Sequence, residues 1–318
     1  MGDGKKLIKK RARSFAPGTV SNVGPGFDLM GFPVFGIGDE VEVTPNGTGT
    51  SRIVAIQGND AISHEVESNT AGKAILSFLE ENAPGEGVDI TLYKNMPIGS
   101  GMGSSAASAV AGAVAVNGLL AEPLKPDQLV EYAMAGEMIA SGSRHGDNVI
   151  PSLVGGFVII NDIETLDFFR VDAPADLLVM LIHPHIEIKT SHARSILPDT
   201  IPVKDSIRQT SAALTLLAGI VSADYAKIAA ASKDYIAEPY RSGLIPGYAE
   251  AKRLLLAGGA VAFNISGSGP TMFALFNDAA KAETARSTVE KIHGRINLGV
   301  DISISKVNNG GAKLLEVE

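Results

Sequence analysis

Glycines alternate at Gly99, Gly101 and Gly103 within Pro97-Ile98-Gly99-Ser100-Gly101-Met102-Gly103-Ser104-Ser105, and an alanine-rich run follows. Glycine permits φ > 0 and leaves no Cβ, so a large anion can lie against the backbone. Serine caps helices well and alanine propagates them. Together they predict a loop with inward amides closed by a helix N-terminus, an anion site whose usual occupant is phosphate. A flexible glycine loop ahead of a buried helix is the plainer alternative. Three common phosphate signatures do not fit. A P-loop needs a lysine after its last glycine, and none lies between Lys94 and Lys125. The dinucleotide fingerprint would need glycine where Ser104 stands, which also removes a dehydrogenase reading. The His-Arg-Asp and Asp-Phe-Gly elements of protein kinases are absent.

Other polar residues sit where chemistry is plausible. Asn22 and Asp28 flank a turn containing Pro25 and Gly26; Asp is also common in turns for its own sake. Glu137 falls in the last turn of an amphipathic helix, where a carboxylate is unfavourable. That placement predicts a metal, lysine or water partner, with an ordinary exposed Glu as the alternative. Arg144, His145, Asp147 and Asn148 crowd a loop of small residues ahead of an apolar run. Such loops are enriched at sites, although a lone His is more often a hydrogen-bonded loop residue. Arg194 and Arg241 could each clamp a carboxylate through their forked donors, or simply lie on the surface.

Strand patterns that must position these groups fall at 39–44, 52–57, 88–92, 153–160, 168–171, 177–183, 261–266, 271–276 and 301–307, with a short strand before the 22–28 turn. Helical spacing marks 69–82, 126–139 (Leu129, Tyr132, Ala133 and Met138 inward), 206–221, 223–236, 248–257 and 278–293, the last closed by Gly294. The pattern changes after Ile160, which places a domain boundary near 165: an N-terminal unit 1–164 and an α+β unit 165–318. A chain of 318 residues with 45% hydrophobic content can bury a sizeable core. Its net charge of −8 argues against nucleic acid as a partner. Without cysteine there is no disulfide, thiolate metal site or cysteine nucleophile, which fits a reducing, cytoplasmic setting. The basic run 5–13 has no apolar stretch behind it and reads as a solvated lead-in. Residues 95–121 carry no charge but are mostly Gly, Ser and Ala, which predicts a buried helix and no membrane span.

The stretch Pro97 to Ala107 resembles the second motif of the GHMP kinases, whose members include galactokinases, homoserine kinases and mevalonate kinases. Ser21-Asn22-Val23-Gly24-Pro25-Gly26-Phe27-Asp28 resembles the first motif in its homoserine kinase form, and Asn264-Ile265-Ser266-Gly267-Ser268-Gly269-Pro270-Thr271 the third. Val23 and Met102 stand where leucine is usual. The resemblance implies the two-domain α+β GHMP fold, with a ribosomal protein S5 domain 2-like N-terminal domain and a ferredoxin-like C-terminal domain. It implies ATP as co-substrate, with phosphates in the 97–105 loop, Gly267, Ser268 and Gly269 packed against it, and Asn69 near adenine; Asn69 matches by position only, and its own chemistry favours a helix N-cap. It implies Mg2+ on Glu137 and a Ser105 or Ser104 hydroxyl. L-homoserine would meet Asn22, Asp28, Glu137, His145, Asp147, Arg194 and Arg241, with Asn148 near the accepting hydroxyl.

Mevalonate-type relatives use an aspartate paired with a lysine, and no such pair is assignable from this sequence. Asn148 orienting the hydroxyl without a strong base is the expectation, with His145 as the titrating alternative. The expected activity is phosphorylation of L-homoserine for threonine synthesis. Mevalonate-like or shikimate-like acceptors, and a catalytically silent regulator on the same fold, are the competing readings. A homodimer is expected on general frequencies alone.

Overall fold

In the computed structural model, which describes residues 6–59 and 61–318, the turn after Ser21 joins two antiparallel strands, β1 (Ala12–Ser21) and β2 (Met30–Pro45). With β1 along one edge, β2 serves two neighbours on the other. β3 (Arg52–Gln57) lies parallel to β4 (Val88–Tyr93), which pairs with the second half of β2. The first residues of β2 pair with β5 (Phe157–Asp162), and β6 (Asp167–Val171) extends that edge. A second sheet contains β7 (Leu178–Pro184), β8 (Ala262–Ile265), β9 (Met272–Phe276) and β10 (Val300–Lys306), in the order β10-β7-β9-β8, antiparallel throughout. In chain order this is 4-1-3-2, the ferredoxin-like arrangement. A last strand, β11 (Lys313–Val317), returns to the first sheet and pairs with β1.

Three helices pack on the first sheet: α1 (Thr70–Asn82), α2 (Ser104–Gly118) and α3 (Val130–Ser141). Asn69 caps α1, its side-chain oxygen accepting the N–H groups of Ala71 and Gly72. Every residue of α2 except Ser105 is buried. Small side chains make that possible, since they let neighbouring backbones approach where larger ones would not fit. The short α4 (Val149–Val154) follows the His145–Asn148 loop. Between β7 and β8 run α5 (Thr190–Ser195), α6 (Val203–Ser222), α7 (Tyr225–Ala231), α8 (Glu238–Arg241) and α9 (Tyr248–Ala257), and α10 (Ala279–Arg295) precedes β10. Among the described residues no helix is long and apolar enough to cross a membrane.

Several sequence expectations shift. The apolar run 153–160 is not one strand: Gly155 and Gly156, at φ 77 and 70°, separate α4 from β5. The division near 165 moves, because β6 pairs with β5 and the change of sheet falls between Val171 and Leu178. The chain therefore does not split cleanly into 1–164 and 165–318, and β11 carries its end back to the first sheet. The helix expected over 223–236 spans only α7. Gly294 lies inside α10 rather than ending it. Met138 faces solvent, not the core. Lys5, where the basic run begins, lies outside the described residues.

Candidate active site

The glycine loop takes the left-handed conformation at each alternate glycine, with φ of 63, 76 and 66° at Gly99, Gly101 and Gly103. Gly103, not a serine, is the N-cap of α2, and Ser104 begins the helix. The third glycine-rich turn supports this loop from behind. Ser266 Oγ donates to the Gly101 carbonyl at 2.6 Å, and the Thr271 N–H donates to the Ser100 carbonyl at 3.2 Å. A Cβ on Gly101 would lie 2.7 Å from the carbonyl oxygens of both Ser266 and Gly269. Asn22 joins the same assembly by donating to the Gly267 carbonyl at 2.9 Å.

The loop opens on a cavity of about 550 Å³. Asn69, Ile98, Gly99, Ser100, Gly101, Gly103, Ser104, Ser105, Gly267 and Ser268 line part of it. Asn22, Asp28, Glu137, His145, Asp147, Asn148, Arg194 and Arg241 line the rest. Pro97, Met102 and Gly269 do not face it. Pro97 is turned to solvent, Met102 is buried in the core, and Gly269 packs behind Gly101.

Glu137 is buried on α3, which removes the exposed alternative. Its Oε1 accepts the Ser105 hydroxyl at 3.0 Å, while Oε2 is buried without a hydrogen-bond partner among the described residues. Burial pushes the carboxyl up to about 7, with the Ser105 hydroxyl opposing the rise and Asp147 adding to it. An orphaned anionic oxygen beside a hydroxyl suits a hard divalent cation. No cluster of three or more His, Cys, Asp or Glu able to hold a metal occurs among the described residues. Such a cation would therefore need oxygens from elsewhere, as Mg2+ commonly takes from phosphates.

The opposite wall carries charges of both signs. Asp28 sits at φ 56°, its N–H donating to Asn22 Oδ1 at 2.9 Å. Arg194 Nη2 reaches both Asp28 oxygens. Arg241 is buried, and its Nε and Nη1 donate to the carbonyls of Ala193 and Gly267 at 3.0 and 2.9 Å. Both guanidinium groups lie over the Phe27 ring, at 5.7 and 5.3 Å from its centroid. Asp147 is buried, and burial, then the nearby Asp28 charge, raises its carboxyl to about 7. His145 Nε2 meets the Ser143 hydroxyl at 2.7 Å, and burial lowers its pKa. Asn148 Oδ1 accepts the Thr19 hydroxyl at 2.7 Å.

The family models named GHMP kinases N terminal domain and GHMP kinases C terminal match residues 69–156 and 216–295. A homoserine kinase of Chloroherpeton thalassium is 39% identical over 320 residues, covering 96% of this chain and 100% of the relative. The chain belongs to the homoserine kinase family of GHMP kinases. The crystal structure of homoserine kinase from Cytophaga hutchinsonii superposes with a TM-score of 0.94 at 41% identity, covering 98% of this chain and 99% of the other. L. major mevalonate kinase, at 15% identity and a TM-score of 0.72 over 95% of this chain and 99% of that one, shares the fold.

Sequence reasoning missed three parts of this family member's site. Thr19 and Ser21 come from the last residues of β1, where small polar side chains did not stand out as site groups. Thr190 lines the cavity from the start of α5, and Glu187 from the segment just before it. A buried Lys94–Asp39 ion pair bonds to both ends of the glycine loop, and Lys94 also lines the cavity. The pair belongs to two strands far apart in sequence, and only their register brings it together.

Proposed function

We propose that the chain transfers the terminal phosphoryl group of ATP to the side-chain hydroxyl of L-homoserine, giving ADP and O-phospho-L-homoserine. The observation that carries this is one cavity joining a backbone anion cradle to a wall of paired opposite charges. A zwitterionic amino acid with a terminal hydroxyl matches that wall: carboxylate to Arg194 and Arg241, ammonium to Asp28 and Asp147. Mevalonate-like and shikimate-like acceptors have no ammonium group and would leave the carboxylates unpaired.

Phosphoryl transfer rests on placement and charge stabilisation. The amides of the 97–105 loop and the N-terminus of α2 hold the nucleotide phosphates, with Asn69 near adenine. Glu137 and Ser105 would hold Mg2+, which would supply charge neutralisation for the transfer. Thr19 fixes the Asn148 amide so that its Nδ2 donors are left for the acceptor. His145 is engaged by Ser143 and disfavoured from protonation by burial. In this reading no protein base is required, and the hydroxyl proton leaves on the transferred phosphoryl group.

The test is ADP release with ATP and Mg2+ against L-homoserine, mevalonate, shikimate and no acceptor. Release confined to L-homoserine supports the proposal. Release with another alcohol overturns the assignment of the charged wall, and nucleotide binding without turnover points to a silent regulator.

A further inference from the structure

Lys94 follows the last residue of β4, and Asp39 precedes Glu40, the β2 residue opposite Tyr93. The ladder thus sets lysine and aspartate against each other. Both are buried, at 6% and 0% exposure, where an unpaired charge would be very costly. The Lys94 ammonium contacts Asp39 Oδ2 and donates to the Ser104 carbonyl at 2.6 Å and Ser108 Oγ at 2.8 Å. Ser108 Oγ donates in turn to Asp39 Oδ2 at 2.8 Å. Asp39 Oδ1 accepts the N–H groups of Asn95 and Met96 at 3.0 and 3.1 Å.

These bonds join the two ends of the glycine loop. Asn95 and Met96 are where it leaves β4; Ser104 is where it enters α2. We infer that Lys94 and Asp39 are positioning residues for the phosphoryl-transfer reaction, a clamp that fixes the spacing of the loop's ends and so the direction of its amides. The inference rests on the reading of this loop as the nucleotide phosphate site. Stability alone does not call for such a pair. Apolar side chains of similar volume are often equally stabilising in place of a buried ion pair. A cation beneath the first turn of α2 also opposes the helix dipole. The clamp makes sense as a shape requirement, since small misplacements of reacting groups cost rate steeply.

The decisive variant is Lys94→Met with Asp39→Asn, which removes both charges and keeps an oxygen able to accept the Asn95 and Met96 N–H groups. Its expected behaviour is a melting temperature close to wild type, a KM for ATP raised about tenfold or more, and a KM for L-homoserine within about twofold. Ser108→Ala keeps the charges and removes one rung, with an expected rise of about threefold in KM for ATP; it decides the matter if the double variant does not fold. ATP affinity within about twofold of wild type in the folded variants overturns the clamp. So does an equal loss on both substrates in step with melting temperature. Calorimetric titration of the wild-type chain with ATP separates the two ideas: no binding there overturns the phosphate-loop reading itself, whereas wild-type binding with unchanged variants overturns only the clamp.

Discussion

Arg194 and Asp28 are paired with each other across the cavity, one guanidinium nitrogen lying 2.9 and 3.0 Å from the two carboxylate oxygens. Each belongs to a different part of the fold, Asp28 to the β1–β2 turn and Arg194 to α5. A zwitterion entering this wall exchanges their single ion pair for one contact at each end of itself. The resting pair keeps either charge from standing alone in a partly desolvated place.

Arg194→Ala should therefore act on the amino acid and not on the nucleotide. The expected result is a KM for L-homoserine raised about 10- to 100-fold, the span of one charge-assisted hydrogen-bonded contact, with KM for ATP nearly unchanged. Steady-state kinetics with each substrate varied in turn provide the check. An equal rise in both constants would remove Arg194 from the substrate wall.

Thr19→Val keeps the shape of a buried side chain and deletes the hydroxyl that Asn148 Oδ1 accepts. The freed amide can turn its oxygen to the acceptor. A fall of about tenfold in kcat is expected, with little change in KM for ATP. If the two residues act as a unit, Thr19→Val adds little on top of Asn148→Ala, and the double-mutant cycle shows a large coupling.

Asp147 should make binding of L-homoserine depend on pH. Its carboxyl is raised from 3.8 to about 7 by burial, so the native state holds a proton that the unfolded chain has released. The sign is fixed: in the ligand-free protein this group's contribution to stability is fully present below 3.8 and is lost as pH rises through about 7. Asp147→Asn should raise the melting temperature of the ligand-free protein at pH 8, an effect on the order of 1–3 kcal/mol. The same variant should bind L-homoserine weakly at pH 8. In the wild-type protein KM for L-homoserine should fall as pH rises toward that range. Thermal unfolding at pH 5 and 8, with KM across the same interval, would expose a wrong sign.

Gly101→Ala places a Cβ 2.7 Å from two carbonyl oxygens at a φ of 76°. The loop and the turn behind it must then separate. ATP affinity should drop about 100-fold or more, and stability by about 1–3 kcal/mol. Titration calorimetry and thermal unfolding measure the two effects independently.

The glycine loop was legible because its conformation is a property of its own residues: alternate glycines permit alternate positive φ. The same holds for the Asn69 cap, since its side chain bonds amides within three residues of itself. The charged wall was legible through motif resemblance, but the Arg194–Asp28 contact was not, being a long-range pairing. Lys94 and Asp39 went unread for the same reason. Each is an unremarkable polar residue at a strand end until the β2–β4 register is known. Burial of Glu137 depends on how α3 meets α2, and helical spacing alone left it undecided. Strand β11 was overlooked because its five residues, Leu314, Leu315 and Val317 among them, are too few to show a strand period by themselves.

That strand has a consequence for how the molecule is made. Ala12 of β1 is matched to Val317 of β11. Almost 300 residues separate the two strands, so the outer edge of β1 stays uncovered in any partly made chain that lacks β11. An uncovered edge is a template for pairing with other chains, and contacts of such sequence separation form slowly. Loss of β11 would leave the residues that line the cavity in place yet offer that edge to other chains, a fault of assembly rather than of chemistry.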